Sequence, residues 1–135
     1  MATHVGLHLR HASNDLAGLA AGLGLPAARM WIAGDARKTP LGDPLPGTYQ
    51  ESYLALNISS SSETISGAIE VVRAAILAAP PDLRVLLADP ALRKSLYCTL
   101  ESNGEGIDLN ALKTLVELGI ELEIEGHWGA IGKAS

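Results

Sequence analysis

Between Thr3 and His11 the chain alternates, with Val5, Leu7 and Leu9 on one side and His4, His8 and Arg10 on the other. That period of two is the pattern of a strand with one oily and one wet face. The alternation returns at Ser52–Ser59, where Leu54, Leu56 and Ile58 face one way and Tyr53, Ala55 and Asn57 the other. It returns again at Arg93–Glu101, with Leu96, Cys98 and Leu100 set against Ser95, Tyr97, Thr99 and Glu101. Finally, Ile120, Leu122 and Ile124 alternate with Glu121, Glu123 and Glu125. These are four predicted strands, each apolar on one side.

Between them the period changes. Leu16, Leu19, Ala20 and Leu23 fall at helical spacing after Ser13 or Asn14, either of which can cap, and Gly24 then Pro26 end the run. Ser60 and Glu63 have capping-box spacing before Ile65, Ala68, Ile69, Val72, Ile76 and Ala79, a helix stopped by Pro80 and Pro81. Leu109, Leu112, Leu115 and Val116, capped by Asp108 or Asn110, form a third helix that ends at Gly119. Arg29–Ala33 reads as a brief extended piece around Trp31, and 34–50, rich in Gly and Pro, as a loop. Leu83–Ala88 fits a further helical turn ending near Pro90, although its periodicity does not decide the matter.

Strands apolar on one face imply a sheet covered by helices on that side and open on the other. The expected class is α+β: a two-layer α/β sandwich of ferredoxin-like flavour, four main strands with three helices on one face. Periodicity does not give the strand order.

Composition sharpens this in a few respects. At 135 residues, 47% hydrophobic and 19% charged, the chain fits one domain, 1–135, with a core of aliphatic residues because Phe is absent. The net charge of -5 opposes phosphate neutralisation and argues against nucleic acid. A single cysteine, Cys98, makes no internal disulfide and no CxxC motif, which suits a reducing cytoplasm. The longest apolar stretch, Ala68–Ala79, is interrupted by Glu70 and Arg73 and is shorter than the ~20 residues a bilayer needs, so no membrane span is expected. The N-terminal segment lacks the form of an export signal.

The segment Trp31-Ile32-Ala33-Gly34-Asp35-Ala36-Arg37, preceded by Leu25-Pro26, resembles a bacterial family catalogued as domain of unknown function 4279. So does the tail, a Leu-rich helix ending in Leu118-Gly119 followed by an acidic strand, Leu109–Glu125. The resemblance spans the chain in layout, and its specific part is the Trp, Gly-Asp and Arg cluster. It implies a small cytoplasmic α/β domain without catalytic residues to carry over.

Candidate chemistry collects on the wet face of the sheet: His4, His8 and Arg10, then Tyr53, Tyr97, Glu121, Glu123, Glu125 and, just beyond the last strand, His127. Cross-strand pairing of opposite charges, each pair contributing ~0.2–1 kcal/mol, accounts for such residues without any ligand. A protein or ligand surface is the functional reading, since Tyr and Arg are enriched at interface hot spots. A metal shared by Glu125, His127 and His4 or His8 requires aligned registers and matches no known signature, so no metal and no cofactor is assigned. Arg37, Lys38 and Thr39 beside Gly34 offer anion donors but fit no phosphate-loop motif; the plainer reading pairs Asp35 with Arg37 and sets Trp31 at the core edge. Cys98 reads as a small buried hydrophobe. The 126–135 tail, with Trp128, is a segment that could dock on the body or support self-association.

The function expected from the sequence is a non-enzymatic module binding a protein partner or small ligand through that wet face, in an immunity-like or regulatory manner. The alternatives are a small-molecule or metal-binding enzyme using the same His and Glu residues, and a structural homodimer in place of a monomer.

Overall fold

A computed structural model of the chain describes residues 2–58, 64–100 and 106–126. Strand β1 (Ala2–His11) leads into helix α1 (Ala17–Leu23), followed by β2 (Ala27–Trp31), β3 (Ala36–Lys38), β4 (Pro44–Thr48) and β5 (Ser52–Asn57). Helices α2 (Ile65–Ala78) and α3 (Pro81–Ala88) precede β6 (Arg93–Leu100), α4 (Leu109–Leu118) and β7 (Ile120–Gly126).

Five strands make one mixed sheet in the order β2-β5-β1-β6-β7, and β3 and β4 form a separate two-stranded hairpin. Pairing along the large sheet is antiparallel except between β6 and β7, which are parallel and joined through α4. Because β5 and β6 both run antiparallel to β1, the α2–α3 connection must pass across β1, and α2 packs on it. The core gathers Val5, Leu7, Leu9, Leu54, Leu56, Leu96 and Cys98 from the strands with Leu19, Ile65, Ile69, Val72 and Leu115 from the helices. Strand parity holds as the sequence implied in β1 and β6, whereas β5 is buried on both faces and the apolar side of β7 is fully buried only at Ile120.

The architecture is α+β, but with five sheet strands and four helices among the described residues instead of four and three. The piece around Trp31 is a full edge strand. The 34–50 loop contains the hairpin, whose residues are almost all exposed, so hydrophobic periodicity had nothing to report there. Pro80 and Pro81 end one helix and begin the next, because a proline in the first turn sacrifices no intrahelical N–H bond. A ferredoxin-like order would put the first and fourth predicted strands side by side; here β6 separates β1 from β7.

The caps also differ in part. At α1 the carboxylate of Asp15 accepts the Ala17 N–H at 2.8 Å, while the Ser13 and Asn14 N–H groups donate to His11 Nδ1. Thr64 caps α2, accepting the Gly67 N–H at 3.0 Å, and the Ser60–Glu63 box lies outside the described residues. Asp108 caps α4, accepting the Ala111 N–H at 2.7 Å. At its other end Gly119 adopts φ 66, a left-handed turn that a side chain would strain, and the chain enters β7 at once.

Candidate functional site: the open sheet face

The register fixes which side chains meet. Arg10 stands between Tyr53 and Arg93, and His8 between Ala55 and Ser95, whereas Glu121, Glu123 and Glu125 pair with Ser95, Tyr97 and Thr99. The carboxylates are therefore two strands from His8 and Arg10, about 10 Å in the pairing direction. Direct His–Glu or Arg–Glu pairing across neighbouring strands does not occur, because β6 intervenes. Arg10 and Arg93 instead converge on Glu51, at 3.8 Å and 2.6 Å. His4 is exposed near the end of the face, and His127 lies outside the described residues. Among the described residues no three His, Cys, Asp or Glu side chains come together as metal ligands.

Although not paired with one another, His8, Arg10, Glu121 and Glu123 do line one small depression together with Arg93 and Ser95, and beside it the face brings together a run of rings. Tyr49 stacks on Trp31 at 4.7 Å between centroids, and Trp31 on Tyr53 at 4.5 Å. Tyr53 meets His8 edge-on at 5.6 Å, and His8 stacks on Tyr97 at 5.3 Å. The arginines attend this ladder: Arg29 lies over the Trp31 ring at 5.2 Å and Arg10 over the Tyr53 ring at 5.1 Å, in the range of cation–π attraction. Gly6 makes room for it, since a Cβ there would sit 3.3 Å from His8 Nε2.

Burial sets the electrostatics. The Tyr53 hydroxyl is 3.2 Å from His8 Nδ1. Desolvation, helped by the Arg10 charge, holds the His8 imidazole below the ordinary histidine range, against an opposing pull from Glu123. His8 is thus biased to the neutral form, which can accept the Tyr53 proton in a hydrogen bond. Burial likewise pushes the Tyr53 phenol up, partly countered by Arg10 and Arg29. Tyr53 has the parity of a wet-face residue, yet it is only 7% exposed because Trp31 and its neighbours cover it. Tyr53, expected on the wet face in solvent, is therefore a covered residue.

The three residues of the expected anion loop divide between two grooves, Lys38 and Thr39 lining one with Arg29, and Arg37 another. Arg37 donates to the Pro46 carbonyl at 3.4 Å, and among the described residues it makes no ion pair with Asp35. Thr39 Oγ1 is occupied by the Asp43 N–H at 3.0 Å. Lys38 lines the grooves beside Trp31 and Met30, while Arg37 lines the one toward Glu51. These shallow grooves, of about 320, 390 and 280 Å³, all border the Trp31–Tyr49 stack. Trp31 is therefore a wall of the open face and not a plug in the apolar core.

Sequence reading missed Trp31, Tyr49, Arg29, Glu51 and Arg93 as site residues. The Arg29-x-Trp31 spacing was the available signal, since a strand places those two side chains on one face. No family model, curated protein or solved structure matches the chain.

Proposed function

We propose that this protein is a binding module, not a catalyst, and that it takes a protein partner on the open sheet face through the aromatic ladder. The observation that carries this reading is the unbroken contact Tyr49–Trp31–Tyr53–His8–Tyr97, flanked by Arg10 and Arg29. Tyr, Trp and Arg are the residue types on which interface energy concentrates. The face also carries opposite charges at its two edges, Arg29 on β2 and three exposed glutamates along β7. A partner with the opposite polarity would be oriented as well as attracted.

The test is retention from a lysate of the source cell by the immobilised protein, beside Arg29→Glu and Tyr49→Ala, with circular dichroism confirming that both variants fold. The expected result is a species kept by the wild type and lost by both variants. If everything retained by the wild type is also retained by the variants, the reading is wrong. A small ligand is the second reading, because the grooves beside Trp31 reach the volume range of small-molecule sites. It predicts a bound low-mass species in native mass spectra of the purified protein.

A further inference from the structure

We propose that the outer edge of β7 is a docking edge for an extended peptide whose side chains alternate basic and apolar. β7 pairs with β6 on one side and, among the described residues, has no strand on the other. Such an edge presents unpaired N–H and C=O groups, a template for strand addition.

The two faces of this edge differ in a way that specifies its occupant. On the helix-covered face Ile120 is buried, but Ile124 is 48% exposed. Above it, α4 carries a second apolar stripe. Its core stripe is Ala111, Leu115 and Leu118, yet Leu109 and Val116 are 82% and 81% exposed, with Leu112 beside them. Helical spacing of 100° per residue places Leu109, Leu112 and Val116 on one flank. Glu117 and Leu118 face Arg84 and Leu87 of α3 across a small cavity, so the apolar flank is turned away from α2 and α3 on a helix that packs against β7, the last strand of the sheet. Exposed apolar area of this kind on an otherwise acidic protein marks an interaction site.

On the opposite face stand Glu121, Glu123 and Glu125, all exposed. They argue against a second copy as the occupant. In antiparallel self-pairing centred on Glu123, Glu121 would oppose the partner's Glu125 and Glu123 its own counterpart, and like charges directly opposed are destabilising. A basic strand turns the same row into attraction: same-face residues recur every ~6.8 Å in both strands, so basic side chains at alternate positions match the glutamates one for one. The free edge and apolar flank make the site, and the glutamates choose the charge of what enters it. This inference does not depend on the aromatic ladder.

The experiment uses the full chain and short capped synthetic peptides, Lys/Val alternating, Glu/Val alternating, and Lys alone, followed by amide NMR shifts. The expected result is binding of the Lys/Val peptide with shifts confined to β7 and α4 and with salt weakening it. Val116→Asp should lower that affinity about tenfold. The triple change E121K, E123K and E125K should reject the Lys/Val peptide and accept Glu/Val. Arg29→Glu, which tests the sheet-face reading, should leave peptide binding unchanged. No binding at β7, equal binding of Lys/Val and Glu/Val, or equal binding of the Lys-only peptide would each overturn the proposal.

Discussion

Gly6→Ala tests the construction of the ring ladder at its tightest point. The added methyl would lie 3.3 Å from His8 Nε2, 3.5 Å from its Cδ2 and 3.4 Å from the Leu56 carbonyl oxygen. The first of these is too close by a few tenths of an ångström, so the imidazole must shift. It has little freedom to do so, being stacked on Tyr97 and 3.2 Å from the Tyr53 hydroxyl. Overpacking of this kind costs ~1–3 kcal/mol, and alanine returns roughly 0.4–1 kcal/mol by restricting the unfolded chain. The net expectation is a loss of up to about 2.6 kcal/mol in urea denaturation, accompanied by movement of the His8 ring resonances. A double-mutant cycle isolates the cause: with His8→Ala already in place, Gly6→Ala should become neutral or stabilising, a coupling of about 1 kcal/mol or more. If Gly6→Ala leaves stability and the His8 resonances unchanged, or if the two changes simply add, the close packing of the ladder over Gly6 is refuted.

The remaining predictions concern charge. His8 has its folded pKa lowered below 6.5, so the unfolded chain binds more protons in the window just beneath that value. Stability should therefore fall as pH drops from about 6.5 through the lowered value, and urea midpoints should show a shallower acid loss in His8→Phe than in the wild type. Lys94, 8% exposed, donates to the Leu87 carbonyl at 2.6 Å, and burial lowers its pKa against the pull of Asp89. Here too the unfolded state holds the proton longer, so the wild type should gain stability as pH rises from the lowered value toward 10.5. Lys94→Met should abolish that gain in thermal unfolding between neutral and high pH, while orphaning a helix-end carbonyl at a cost of about 1–3 kcal/mol.

Lys94 also shows where sequence patterning stops. It shares parity with Leu96, Cys98 and Leu100, yet a lysine at the start of a strand reads as a solvent residue, and the ends of α3 and α4 that close over it explain its burial. The last turn of α3 leaves carbonyls without intrahelical partners, and an ammonium on a long stem can satisfy one of them from within the apolar layer. Parity was legible for all four predicted strands because a buried face demands it. Strand order was not, since the same alternation serves any neighbour. The candidate site divides along the same line. Histidine, arginine and glutamate positions on the wet face followed from alternation, but their pairing depended on β6 lying between β1 and β7. Trp31 and Tyr49 belong to segments whose backbone, not an apolar stripe, holds them in place: the Gly34 N–H donates to the Tyr49 carbonyl at 2.9 Å and the Tyr49 N–H to the Asp35 carbonyl at 3.0 Å. Those bonds carry Tyr49 onto Trp31 and so create the ladder. A surface built from a weakly patterned hairpin folded onto a strongly patterned sheet therefore escapes periodicity analysis, because the core that periodicity reports is on the other side of the sheet.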